Sequence, residues 1–233
     1  MSHFSVMVMT TDDSLSVSEL LEPYYEGYTR APWIEFSRQG AIDYAREHYE
    51  EAAQMSDEDC WKYMADGYDI KDREGNLYST ANPDAKWDWW VEGGRWENYL
   101  RLKNGKRITS APIKDIDFGL DKEAYDDALR FWDIIVEEKP LKPFEKMPFS
   151  LWKPEWYLDN YGSREEYAER YACFSTYAVV TPDGIWFEKG EMLWFGVRSV
   201  PEKNTKDWDL NFVERFILPE DENTIITIVD CHI

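Results

Sequence analysis

The sequence predicts an α+β protein, an antiparallel-rich sheet built from hairpins with helices packed on one side. Three observations lead there. Alternating apolar segments open and close the chain, short apolar runs recur in turn-bounded pairs, and the amphipathic stretches stand in blocks instead of alternating strictly with strands. Hydrophobic residues make up 43% and aromatic residues 16% of the 233 positions, so one packed domain over 1–233 is expected.

At the start, Phe4, Val6 and Val8 alternate with His3, Ser5, Met7 and Met9, which predicts a strand over His3–Thr10 in the interior of a sheet. Thr11-Asp12-Asp13-Ser14 offers capping side chains for a short helix that Pro23 should stop. Ile42, Ala45, Tyr49 and Ala52 fit an amphipathic helix over 39–54, and Ser56 opens another that runs to Met64. Glu74-Gly75-Asn76 separates two short apolar runs as a small hairpin. A stronger hairpin follows, with Asn104-Gly105 between Trp96–Leu102 and Arg107–Thr109. Tyr125, Leu129, Trp132 and Val136 share one stripe of a helix over 121–137. Pro140, Pro143, Pro148 and Pro154 then predict an irregular connection, about 138–154.

The last third is the most regular. Ser163 and Glu166 form a capping box for a helix to about Ala172, and Pro182-Asp183-Gly184 turns a strand over 174–181 into one at 185–188. A further strand is expected at Met192–Val197, a helix at 207–218 and a strand at 224–232. This order leaves room for a ferredoxin-like C-terminal half.

Net charge is −21, from 47 acidic and 26 basic residues, and it is unevenly spread. Residues 1–80 hold 17 acids and 6 bases, 81–114 hold 4 and 7, and 115–233 hold 26 and 13. The basic island around the Asn104-Gly105 hairpin reads most simply as a face that pairs with acids of the body. So strong an acidic balance disfavours direct contact with nucleic acid or anionic lipid and favours basic partners. No apolar run approaches a membrane span, and the N-terminus lacks a signal-peptide pattern, so the cytoplasm is the expected compartment. Cys60, Cys173 and Cys231 form no CxxC pair and suggest reduced thiols. No nucleotide, metalloprotease or hydrolase motif occurs, and no cofactor is called for.

Two constellations carry candidate chemistry. Asp230 and His232 share a face of the last strand, and His3 joins them if the two terminal strands pair. His3, Asp230 and His232 are therefore candidates for general-base catalysis, or for three positions of a zinc or iron site. A polar strand end at the solvent edge would look the same. Adjacent strand residues face opposite ways, so Cys231 and His232 make no dyad. The second constellation is Trp87, Asp88, Trp89, Gly93, Gly94, Arg95 and Trp96. It could form an aromatic-walled ligand site in which the glycine amides and Arg95 hold an anion. The alternative is that Trp87 and Trp89 alternate into the core and Gly93-Gly94 makes a turn.

His3–Val8, Asn82-Pro83-Asp84-Ala85-Lys86-Trp87-Asp88-Trp89 with Gly93-Gly94-Arg95-Trp96, Asp115–Phe118, Trp186–Met192 with Trp194-Phe195-Gly196, and Ile228-Val229-Asp230-Cys231-His232 resemble a family of phage- and prophage-encoded proteins. These segments total about a quarter of the chain. The resemblance implies a mobile-element setting and expression inside an infected cell, and it transfers no catalytic residue. Two functions are then in view. One is a non-enzymatic accessory protein that inhibits a host protein of basic surface, for instance a nucleic-acid-binding defence factor, through an acidic, aromatic-rich surface. The other is a protein that binds or turns over a small anionic ligand or nucleotide, with Arg95 as anchor and His3, Asp230 and His232 for proton or metal chemistry.

Overall fold

The structure, a computed structural model, describes residues 3–190 and 202–233; the strand expected at 192–197 lies outside the described residues. The fold is α+β with mostly antiparallel sheets. The chain divides into two compact units, Met1–Leu21 with Trp89–Ile233, and Glu22–Asp88. The proline-rich connection at 138–154 lies inside the larger unit.

The larger unit is built on two eight-residue strands, β1 (His3–Thr10) and β11 (Ile225–His232). They pair antiparallel along their whole length, from His3 opposite His232 to Thr10 opposite Ile225. Six consecutive residues of each are buried, so both faces of the sheet are covered. On the other side of β1 lies β9 (Ala178–Val180), parallel to it, and then β10 (Trp186–Glu188). The Thr181–Ile185 turn joins these two, with Gly184 at φ 82° where a side chain would be strained. The far edge of β11 takes β5 (Trp89–Glu92) at one end and β8 (Ser110–Pro112) at the other. Because β1 and β9 are direct parallel neighbours with no strand between them, the sheet departs from the split β-α-β arrangement of a ferredoxin-like half. The basic hairpin is β6 (Leu100–Arg101) and β7 (Arg107–Ile108), closed by Asn104-Gly105.

On one face of the sheet Met7, Met9, Val179, Ile226 and Ile228 meet Trp208, Phe212 and Phe216 from α7 (Glu202–Leu210) and α8 (Phe212–Phe216). The helix expected over 207–218 breaks at Asn211, whose ψ of 10° is not helical. The short α1 (Val17–Leu21) buries Leu20 and Leu21. A second cluster joins α4 (Lys122–Ile135), α5 (Pro154–Tyr161) and α6 (Arg164–Ala172) through Ala128, Trp132, Tyr157, Tyr167 and Ala168. Ser163 caps α6 as its spacing from Glu166 predicts, and Asp121 caps α4. Pro154 opens α5 instead of extending the irregular stretch, since the first helical position needs no amide hydrogen.

The smaller unit holds a sheet of β2 (Trp33–Phe36), β4 (Leu77–Ser79) and β3 (Ile70–Lys71), in that order. Its helices α2 (Arg38–His48) and α3 (Asp57–Ala65) pack through Ile42, Ala45, Ala52 and Cys60. The helix expected over 39–54 stops at His48, Tyr49 is extended, and Glu50–Gln54 forms a separate turn. Glu50 and Glu51 would sit unfavourably at the C-terminal end of one long helix but suit the first turn of a new one.

Candidate functional site

Alternation places His3, Ser5, Met7 and Met9 on one face of β1, and the register places His232, Asp230, Ile228 and Ile226 opposite them. That face is apolar under α7 and α8 and becomes polar at its other end. There the His3 and Asp230 side chains meet, Nδ1 to Oδ1 at 2.8 Å. The His232 ring lies edge-on to His3, centroids 5.0 Å apart, and Trp89 of β5 approaches His3 at 6.1 Å. The two termini thus bring together all three residues that the sequence singled out. The Asp230 side chain is only 3% exposed against 18% for His3, so the buried carboxylate orients an imidazole that still reaches the surface.

Asp230 has a second engagement. Its Oδ2 accepts a hydrogen bond from the backbone N–H of Arg95 at 3.0 Å. That contact needs Gly94, whose φ is 53° and where a Cβ would stand 2.5 Å from the Asp230 Cβ and Oδ2. The Gly93 N–H is also used, donating to the Ile228 carbonyl at 2.9 Å. Of the amides in this turn, that of Gly93 therefore serves the sheet and that of Arg95 a carboxylate of the protein itself. The Arg95 side chain is exposed.

The tryptophans fall in both units. Trp87 and Asp88 belong to the smaller unit, where Trp87 is buried and stacks on Tyr25 at 4.8 Å. Trp89 is 51% exposed, against the expectation that it follows Trp87 into the core, because β5 begins only at Trp89. Trp96 packs beside the core of the larger unit. Cys231 points away from the histidines as alternation requires, and burial pushes its thiol well above the usual range. Among the described residues, no trio of His, Cys, Asp and Glu is placed to share a metal ion. The basic hairpin pairs with acids of the body, Arg101 with Asp117 at 3.0 Å and Arg107 with Asp121.

One surface escaped the sequence reading. Phe144, Met147, Phe149, Leu151 and Trp152 are 50–105% exposed in the proline-rich connection. The segment is tied down: Arg130 donates to Glu145 at 2.7 Å and to the Pro140 carbonyl at 3.0 Å, and the Lys142 amide donates to Glu145 at 2.6 Å. Beneath it a cavity of about 630 Å³ is lined by Phe131, Trp156, Tyr161 and Tyr171 among others. The signal was the density of large apolar side chains between prolines, which reads as loop when only breakers are weighed. Among the described residues no helix is long and apolar enough to cross a membrane. No family model, curated protein or solved structure matches the chain.

Proposed function

We propose that the chain is a non-enzymatic accessory protein that binds and inhibits a host protein, in the phage setting that the resemblance implies. It would do so by presenting an acidic, aromatic-rich surface to a basic one. The observation that carries this reading is the density of exposed apolar side chains from Phe144 to Trp152 on a stretch anchored at Glu145 and, through the Tyr157 hydroxyl, at Ser150, since exposed apolar surface of this kind marks interaction sites. A net charge of −21 adds long-range attraction for a basic partner and repulsion of nucleic acid, which suits a partner whose own ligand is nucleic acid. The test uses the purified chain as bait in host lysate at two salt concentrations, beside a Phe144→Ser/Phe149→Ser/Leu151→Ser variant. One host protein should be captured, more weakly at high salt. It should be lost with the triple variant and retained with Arg95→Ala and His232→Ala. Capture indifferent to the triple variant would overturn the reading.

A second reading rests on the contact between His3 and Asp230. A carboxylate-oriented imidazole beside a second histidine is a plausible general base for a small ligand. The exposed Arg95 side chain and the engaged Gly93 and Arg95 amides weigh against that ligand being held as an anion there. A metabolite that co-purifies with the chain and is lost on His232→Ala would favour this reading over the first.

A further inference from the structure

The smaller unit contains a cavity of about 980 Å³ whose walls are aromatic and whose charge is negative. Phe36, Tyr44, Tyr49, Tyr63 and Tyr68 supply the rings. They lie against one another at 5.0 to 6.4 Å, so their positions are mutually set. Glu35, Asp59 and Asp66 line the same cavity, against the single cation Lys62, which is already paired with Glu58 at 3.5 Å. The Tyr68 hydroxyl is pushed up to about 12, first by burial and then by its hydrogen bond to Glu35, so the tyrosine stays neutral beside the carboxylate.

The helix ends add to this field. Tyr49 caps the C-terminus of α2 and Asp66 caps that of α3, and both line the cavity. A helix C-terminus carries partial negative charge, so an aspartate there is unfavourable unless a cation answers it. The whole unit holds sixteen acidic and seven basic residues between Glu22 and Asp88.

We infer that this tyrosine-lined cavity binds an organic cation, an ammonium or guanidinium group seated against the ring faces and answered by Asp66 and Glu35. Ring quadrupoles attract such groups, and their hydrocarbon surface fits an aromatic wall better than a hydrated metal ion does. This inference rests on the smaller unit alone and is independent of the reading above.

The test titrates the full chain with choline, with its neutral isostere 3,3-dimethylbutan-1-ol, with spermidine and with N-acetylarginine amide, followed by calorimetry. At least one cation should bind, and choline should bind about fivefold or more tighter than its isostere. Asp66→Asn should weaken the best cation about threefold or more, and Tyr63→Leu should weaken it too. Asp69→Asn, outside the cavity lining, should leave it unchanged. Lys62→Ala should tighten binding. Preference for choline or spermidine assigns a free metabolite, and preference for the arginine amide assigns a side chain of a protein. No binding by any cation at millimolar concentration, equal binding of choline and its isostere, or indifference to Asp66→Asn with the fold intact by circular dichroism overturns the inference.

Discussion

Replacing Gly94 by alanine tests the geometry at the terminal histidines directly. At φ 53° a residue with a Cβ costs about 1–2 kcal/mol more than glycine. The new Cβ would also lie 2.5 Å from the Asp230 side chain, so the carboxylate must shift. A shift weakens hydrogen bonds from the Arg95 amide and from His3, and losing one bond to a charged group costs about 1.5–3 kcal/mol. Gly94→Ala should therefore destabilise the larger unit by about 2.5–5 kcal/mol. Gly105→Ala is the matched control, since φ is 82° there but nothing lies within 4 Å of the added Cβ. Only the conformational cost applies, about 1–2 kcal/mol. Urea unfolding gives the two values, and amide exchange at Ile228 and Val229 assigns the loss to this sheet. If the two variants are equally destabilised, Asp230 is not held in the glycine turn, and the account of the site fails.

Other expectations follow from the same structure. Phe212 is fully buried under the sheet, and Phe212→Ala should cost about 3–5 kcal/mol in the same urea assay. Glu145 sits well below the usual carboxylate range, at about 2 against 4.5, chiefly because Arg130 donates to it. Its folded value is depressed, so its contribution is present above about 4.5 and lost as the pH falls towards 2. Limited proteolysis within 140–150 should rise over that window in the native chain and show no such step in Glu145→Gln. Burial, with Asp209 nearby, pushes the Cys173 thiol up to about 11, burial likewise raises Cys231, and Cys60 is fully enclosed. Native protein at pH 8 should react slowly with iodoacetamide at all three positions and rapidly once unfolded; a single fast thiol by mass spectrometry would contradict the burial.

What the sequence made legible was decided within a few residues of chain. Ser56 and Ser163 cap the helices they were expected to open, and Asn104-Gly105 and Glu74-Gly75-Asn76 turn the hairpins, because capping and turn chemistry is local. Strict alternation was also enough to put Asp230 and His232 on one face, and pairing of the terminal strands added His3. The breaks at Tyr49 and Asn211 were missed because apolar spacing continues through both, and only the acids after Tyr49 argue for a stop. The division of the chain at Leu21 coincides with no change in charge, and the change after residue 80 reads as a basic hairpin face before it reads as a boundary near Asp88.

The glycine pair marks where local reading runs out. Gly93-Gly94 before Arg95 has the chemistry of an anion cradle, and nothing near it in sequence says which anion. The answer lies 135 residues away, in a strand whose own alternation made Asp230 look like a partner for histidine alone. One carboxylate satisfies both, with one oxygen toward His3 and the other toward the Arg95 amide. The glycine turn and the terminal histidines are thus joined through Asp230, and the conformational freedom of Gly94 is explained by a side chain of the protein without any ligand. A ligand anion entering that turn would have to displace Asp230, and with it the group that orients His3. Binding at the glycines and proton transfer at the histidine therefore exclude each other in this geometry, which is why the surface around Phe144 to Trp152 carries the functional reading and the glycine turn does not.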